Sequence, residues 1–274
     1  MKKILVTAVL LTGAFAAQAT LLVSEDFSSA PGALVGTSPD VGGTWAEHVQ
    51  SGITPYSIVS GSLTAPAGFS ASTGNMASKS GVSGYESHTV FDTQTFGSTV
   101  YYSLLINVPT LKLNSAAEIC GLTLDDGADY ASVRYQNTGE DYYTLGVTYR
   151  NAISNRMDTA QLTAGSTHLV VVSYQMNSGF LNDVVNFWLD PDSSTFGSGT
   201  APAPLLTLTG AQSDATSLNM FELNNASAMP VGMLFDEVRV GTTWADVTPI
   251  PEPATIGMLS LGAIMTVMLR RIRR

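Results

Sequence analysis

Cysteine, histidine and positive charge are all scarce in this 274-residue chain. Its one cysteine, Cys120, has no partner within the chain for a disulfide. Between Ile119 and Gly121-Leu122 it reads as a small buried apolar residue rather than a reactive thiol. The three histidines (His48, His88, His168) stand far apart, without zinc spacing. His168 begins an apolar run and reads as structural. No Gly-x-Ser-x-Gly elbow and no phosphate-cradling glycine loop ahead of a helix occurs. Lysine and arginine total 12 against 22 acidic residues. Six of those twelve lie in the two terminal segments, leaving six basic against twenty-one acidic residues between them, a charge near −15. Such a surface repels nucleic acid, which is excluded as a partner, and suits a secreted protein that meets calcium.

Long apolar runs are confined to the ends. Lys2 and Lys3 precede the run Ile4 to Ala16, and Ala17-Gln18-Ala19 fits the small-x-small rule of signal peptidase. Residues 1–19 are therefore expected to be a signal peptide, with Thr20 the mature start. At the other end, Pro251-Glu252-Pro253 makes a rigid extended break, because the prolines lack N–H groups and keep Glu252 out of a helix. Ala254 to Leu269 follows; as a helix it would reach about 24 Å, just short of a bilayer core of about 30 Å. Arg270, Arg271, Arg273 and Arg274 would extend that reach by snorkelling and hold this end in the cytoplasm.

This order of prolines around a glutamate, an apolar helix and an arginine cluster resembles the PEP-CTERM sorting domain. The resemblance covers residues 251–274. It implies a Gram-negative bacterium with an exopolysaccharide-rich surface and an exosortase-type enzyme that acts near Pro251-Glu252-Pro253. No LPxTG sequence for a Gram-positive sortase is present. The expected partners are signal peptidase, the exosortase, the inner membrane before processing, and polysaccharide. The expected destination is the cell surface, outer membrane or extracellular matrix.

Residues 20–247 carry no linker, composition break or repeat, and residues 248–274 are read as the sorting segment. The domain is rich in Thr, Ser, Val, Tyr and Gly, with short alternating runs and no amphipathic helix longer than two turns. The period of two assigns faces. Tyr102, Leu104, Ile106 and Val108 share one side of a strand. So do Ala131, Val133 and Tyr135, and likewise Tyr143, Leu145, Val147 and Tyr149. Leu169 to Val172 is apolar on both sides and reads as a central strand. In the last strand Leu234, Val238 and Val240 are expected to oppose Glu237 and Arg239, ahead of at most one helical turn around Trp244. Turns are expected at Asp125-Asp126-Gly127 and Asn137-Thr138-Gly139. The class is all-β, an antiparallel sandwich.

The opening Leu21 to Trp45, the segment His168 to Pro191 and the ending Leu234 to Val247 resemble laminin-G-like domains of the concanavalin A-like lectin/glucanase superfamily. That resemblance implies a jelly roll whose first and last strands are neighbours, which brings Glu25-Asp26-Phe27 near Asp236-Glu237-Val238. The glucanases of this superfamily carry Glu-x-Asp-x-x-Glu, and no such pattern is found. Adjacent acids on a strand point to opposite faces, so neither Glu25-Asp26 nor Asp236-Glu237 is a dyad by itself.

Two places carry candidate binding chemistry. Asp125, Asp126 and Asp129 crowd hard oxygen ligands into one hairpin, a candidate calcium site, although EF-hand spacing is missing. No other cofactor is expected. Trp188 shares a strand face with Asn186 and Asp190, the ring-and-amide combination that stacks on a pyranose and fixes its hydroxyls, with Tyr130, Arg134 and Tyr142 as further candidates on the same sheet; the alternative is that Trp188 packs beneath a loop such as Asp192 to Pro204. Trp45 and Trp244 read as packing residues. With no catalytic residue assigned, the expectation is an exported, non-catalytic surface or matrix protein that binds carbohydrate or serves structurally. The alternative is a secreted glycan-degrading hydrolase.

Overall fold

The computed structural model describes residues 20–48, 55–81, 86–124, 128–150, 156–210 and 213–251. Within them the strands run β1 (Leu21–Glu25), β2 (Gly32–Ala33), β3 (Ala46–His48), β4 (Tyr56–Val59), β5 (Met76–Lys79), β6 (Glu86–Thr95), β7 (Thr99–Asn107) and β8 (Ser115–Leu124). They continue as β9 (Ala128–Asn137), β10 (Tyr142–Tyr149), β11 (Arg156–Asp158), β12 (Leu162–Thr163), β13 (Thr167–Gln175), β14 (Val184–Leu189), β15 (Leu206–Thr209), β16 (Ser217–Leu223) and β17 (Leu234–Gly241). One four-residue helix, α1 (Trp244–Val247), follows. Its Thr243–Asp246 capping box satisfies the donors that so short a helix leaves open. No helix among the described residues is long and apolar enough to cross a membrane.

The fold is an antiparallel two-sheet jelly roll. One sheet is ordered β15-β14-β13-β7-β17-β5-β4-β2, with β1 also on β17; the other is ordered β11-β10-β9-β8-β16-β6-β3, with β12 on β10. Strand alternation fills the space between them. Tyr102, Leu104 and Ile106 from β7 meet Ala131, Val133 and Tyr135 from β9 and Tyr143, Leu145, Val147 and Tyr149 from β10 in one buried core. Each fully buried aliphatic or aromatic side chain there contributes about 1.5–3 kcal/mol. Strand β13 lies between β14 and β7, as its two apolar faces lead one to expect. Val170, Val172 and Tyr174 enter the main core, while Leu169 and Val171 turn outward into a second apolar cluster.

That second cluster seals the outer face of the first sheet. A strap of chain, residues 62–75, brings Leu63 and Phe69; residues 190–204 bring Phe196; α1 brings Trp244 and Val247. The outer face of the second sheet has the opposite character. Its cross-strand row reads Ala46–His88–Glu222–Gly121–Ser132–Thr148, small or polar throughout. The chemistry of the molecule is therefore divided between one apolar, covered face and one polar face.

Strand β17 departs from the simple alternation. Its register against β7 shifts between Asp236 and Arg239, and Glu237 has φ +49°. This bulge puts Phe235, Val238 and Val240 in the main core and leaves Leu234 against the outer cluster, rather than grouping Leu234 with Val238 and Val240.

Candidate functional site

Glu222 sits on β16 between Phe221 and Leu223, both in the main core. Alternation sends its carboxyl to the polar face, where it is only 2% exposed. There it hydrogen-bonds the Glu86 side chain from β6, which lies beside it across the sheet. Burial is the main force holding the Glu222 carboxyl far above the ordinary glutamate range; the nearby charges of Asp129 and Glu86 and the bond to Glu86 push the same way. A protonated carboxyl bonded to another carboxyl is an acid–base pair.

The surroundings extend this polar site. Asn224 Nδ2 donates to Asp129 Oδ2 at 2.8 Å, and the Asn224 carbonyl accepts from the Tyr56 hydroxyl. Ser132 Oγ and Thr148 Oγ1, in the same row as Glu222, are buried without a hydrogen-bond partner. Hydroxyl groups in this state have capacity for a polar ligand. Farther along the face a hollow of about 410 Å³ is lined by Asn114, Ser115, Arg134, Gln136, Asn137 and Thr138.

The other acidic group is the corner that the neighbouring first and last strands were expected to form. Strand β1 pairs with β17, with Glu25 opposite Val238. Glu25 accepts from Phe27 N and Trp45 Nε1, both at 2.6 Å. Asp236 accepts from Leu63 N and from Glu237 N, and Glu237 accepts from Thr73 N, each at 2.8 Å. Because of the bulge, Asp236 and Glu237 both serve the strap instead of dividing between opposite faces. Burial raises the carboxyls of Glu25, Asp40 and Glu237, and raises Asp236 to about 7.

The Trp188, Asn186, Asp190 trio does not form an open sugar platform. Trp188 is 4% exposed, its Nε1 donates to the Pro202 and Ala203 carbonyls, and its ring lies 5.0 Å from that of Trp244. The sheet beneath it is apolar, so the 190–204 loop closes over the ring instead of leaving it to a ligand. Asn186 is bonded to Thr207 and Ser173, and Asp190 to His168 Nδ1 at 2.7 Å and Leu169 N at 2.8 Å. Trp45 and Trp244 are buried packing residues, as their sequence context suggests.

Asp125 and Asp126 of the candidate calcium hairpin lie outside the described residues, as do Ala17, Ala19, Glu252, Pro253, Arg270, Arg271, Arg273 and Arg274. Asp129 is buried and bonded to Asn224, not displayed at a hairpin tip, because Tyr130 is an extra residue in the β8–β9 register. Among the described residues no three His, Cys, Asp or Glu side chains are grouped to hold a metal. Glu222 and Glu86 were missed in the sequence because 135 residues separate them. The legible signal was one acid set between two core residues in Met220-Phe221-Glu222-Leu223.

No family model and no curated protein matches the chain. Among solved structures it is similar to a carbohydrate esterase from the Shiga toxin-encoding bacteriophage phi24B, with 17% identity over 82% of this chain and 100% of that one, TM-score 0.48. It is similar to the CBM2 module of an evolved Dit of Lactobacillus casei BL23 phage J-1, with 12% identity over 83% and 97%, TM-score 0.43. It is also similar to a β-1,3-glucanase from Mycobacterium marinum, with 13% identity over 81% and 98%, TM-score 0.40. The expectation of a non-catalytic protein is corrected here: enzymes stand among these similar structures, and the chain holds a buried, hydrogen-bonded carboxyl pair that its sequence pattern did not disclose.

Proposed function

We propose that this chain is an exported, glycan-active hydrolase whose reaction centre is the Glu222–Glu86 pair on the polar face of the second sheet. The observation that carries this reading is the bond between the two carboxyls, with Glu222 held protonated by burial and by its acidic neighbours. A carboxylic acid kept neutral at ordinary pH can donate its proton to a leaving glycosidic oxygen, and a neighbouring carboxylate can activate water or stabilise positive charge on the sugar. Glu222 is assigned the proton donor, with Glu86 and Asp129 as the carboxylates beside it. Two glycosidase carboxyls ordinarily stand about 5–9.5 Å apart, so substrate must enter between Glu86 and Glu222 and part their direct bond.

The export reading belongs to the same proposal. The leader at residues 1–19 and the Pro251–Arg274 tail direct the domain through the inner membrane and, by exosortase-type processing, to the surface or matrix.

The test is purified protein on a polysaccharide panel, with reducing ends measured over time. Glu222→Gln is expected to reduce their release by at least about 100-fold with the fold intact by circular dichroism. Full activity in Glu222→Gln, or no release from any glycan by the wild type, would overturn the assignment.

A further inference from the structure

The charges around the Glu222–Glu86 pair are mostly negative. Glu86 and His88 of β6 and Glu222 of β16 stand on the polar face, with Glu118 of β8 opposite Arg134 of β9. Asp129 joins them through its bond from Asn224. Arg156, the other cation in these rows, stands opposite Thr148 on β11, four strands and about 19 Å from Glu222. Lys79 and Lys112 are bonded to the Ser80 and Ser227 carbonyls, and Arg150 to the Tyr130 hydroxyl. A carboxylate or sulfate on a substrate would meet repulsion here, as it would from the domain as a whole.

A second observation gives the sign of the ligand. Asn224 is fixed on three sides: its N donates to the Ile119 carbonyl at 3.1 Å, its carbonyl accepts from the Tyr56 hydroxyl, and its Nδ2 donates to Asp129. Its Oδ1 is buried with no hydrogen-bond partner, at the end of the amide that touches the Asp129 carboxylate. Asn224 Oδ1 and the Asp129 and Glu86 carboxylates are all acceptors, and what they lack is a donor. An ammonium supplies three donors, a positive charge and no acceptor, which neither a hydroxyl nor an acetamide does. A metal ion is the other cation that acceptors take, but among the described residues no three acidic, histidine or cysteine side chains are grouped to hold one.

We propose that the glycan taken by the Glu222–Glu86 centre carries free amino groups, with an ammonium seated among Asp129, Asn224 and Glu86. The substrate class is thus a hexosamine polymer without its acetyl groups. Such an ammonium is also suited to part the direct bond between the two carboxyls, since it can donate to both. The choice of a glycan rests on the hydrolase reading, whereas the seat for the amine is tested by binding alone.

Calorimetric titration compares tetramers of glucosamine, N-acetylglucosamine and glucose, each in its common linkages, at a pH where the amine is protonated. Wild type is run beside Glu222→Gln, in which cleavage cannot interfere. The glucosamine tetramer is expected to bind at least about tenfold more tightly than the other two, with the preference shrinking as salt rises. Asp129→Asn keeps an acceptor for Asn224 Nδ2 and removes one charge, and Glu86→Gln removes another. Each should weaken the glucosamine tetramer at least about fivefold and leave the glucose tetramer unchanged. No binding of the glucosamine tetramer, equal affinity for all three, unchanged affinity in both variants, or displacement by equimolar calcium would overturn the proposal. Preferential binding without release of reducing ends would uphold it and overturn the hydrolase assignment instead.

Discussion

Replacing Glu222 with glutamine converts the buried carboxyl pair into a measurable pH dependence of stability. In the folded chain Glu222 stays protonated through neutrality, held so first by burial and then by Asp129 and Glu86. In the unfolded chain a glutamate loses its proton near about pH 4.3. The native state therefore binds one more proton over this interval, and wild-type stability falls by about 1.4 kcal/mol per pH unit from this residue alone. Its contribution is fully present below the unfolded value and is lost as pH rises towards the folded one. Glutamine has no such term, keeps the shape, and can still donate to Glu86. The stability of Glu222→Gln relative to wild type should accordingly rise by about 4 kcal/mol between about pH 5 and 8. Urea unfolding of both proteins at each pH unit measures this difference, in which the other titrating groups cancel. A difference that stays flat, or falls, would show that Glu222 is ionised in the folded protein and would remove the basis for its role as proton donor.

Two further substitutions test the packing. Gly74 has φ +68°, and a Cβ there would lie 2.2 Å from the Asp26 carbonyl oxygen. Gly74→Ala should cost at least about 2 kcal/mol, from left-handed strain plus displacement of the strap, read as a lower urea midpoint. The Tyr174 hydroxyl donates to Asp183 at 2.7 Å and accepts from Ala215 N at 3.0 Å, all in buried surroundings. Tyr174→Phe removes both bonds, leaving Asp183 its bond from Asn177 N, and should cost about 1–3 kcal/mol by the same measurement.

The sheets were largely legible because period-two patterns are local. Tyr143, Leu145, Val147 and Tyr149 declare their side within one strand, and Leu169 to Val172 declares a centre by being apolar on both. What escaped depended on contacts between distant segments. The β17 bulge regrouped Leu234 and turned Asp236 and Glu237 towards one strap, and no local pattern announces the extra residue. Trp188 has the neighbours of a sugar-stacking ring, and the alternative that it packs beneath the 190–204 loop is the one observed, with Trp244, 56 residues away, as the partner no local pattern names. Glu222 and Glu86 become partners only once β16 lies against β6.

The hydrogen bonds that hold residues 248 and 249 also fix where the chain leaves the domain. The Thr248 carbonyl accepts from Gly197 N at 2.8 Å, and the Pro249 carbonyl from Ser70 N. Both donors belong to the loops that cover the first sheet, so the chain departs from that covered side, with the whole sandwich between it and Glu222. Whatever is joined beyond Pro251 is thus attached at the back of the molecule.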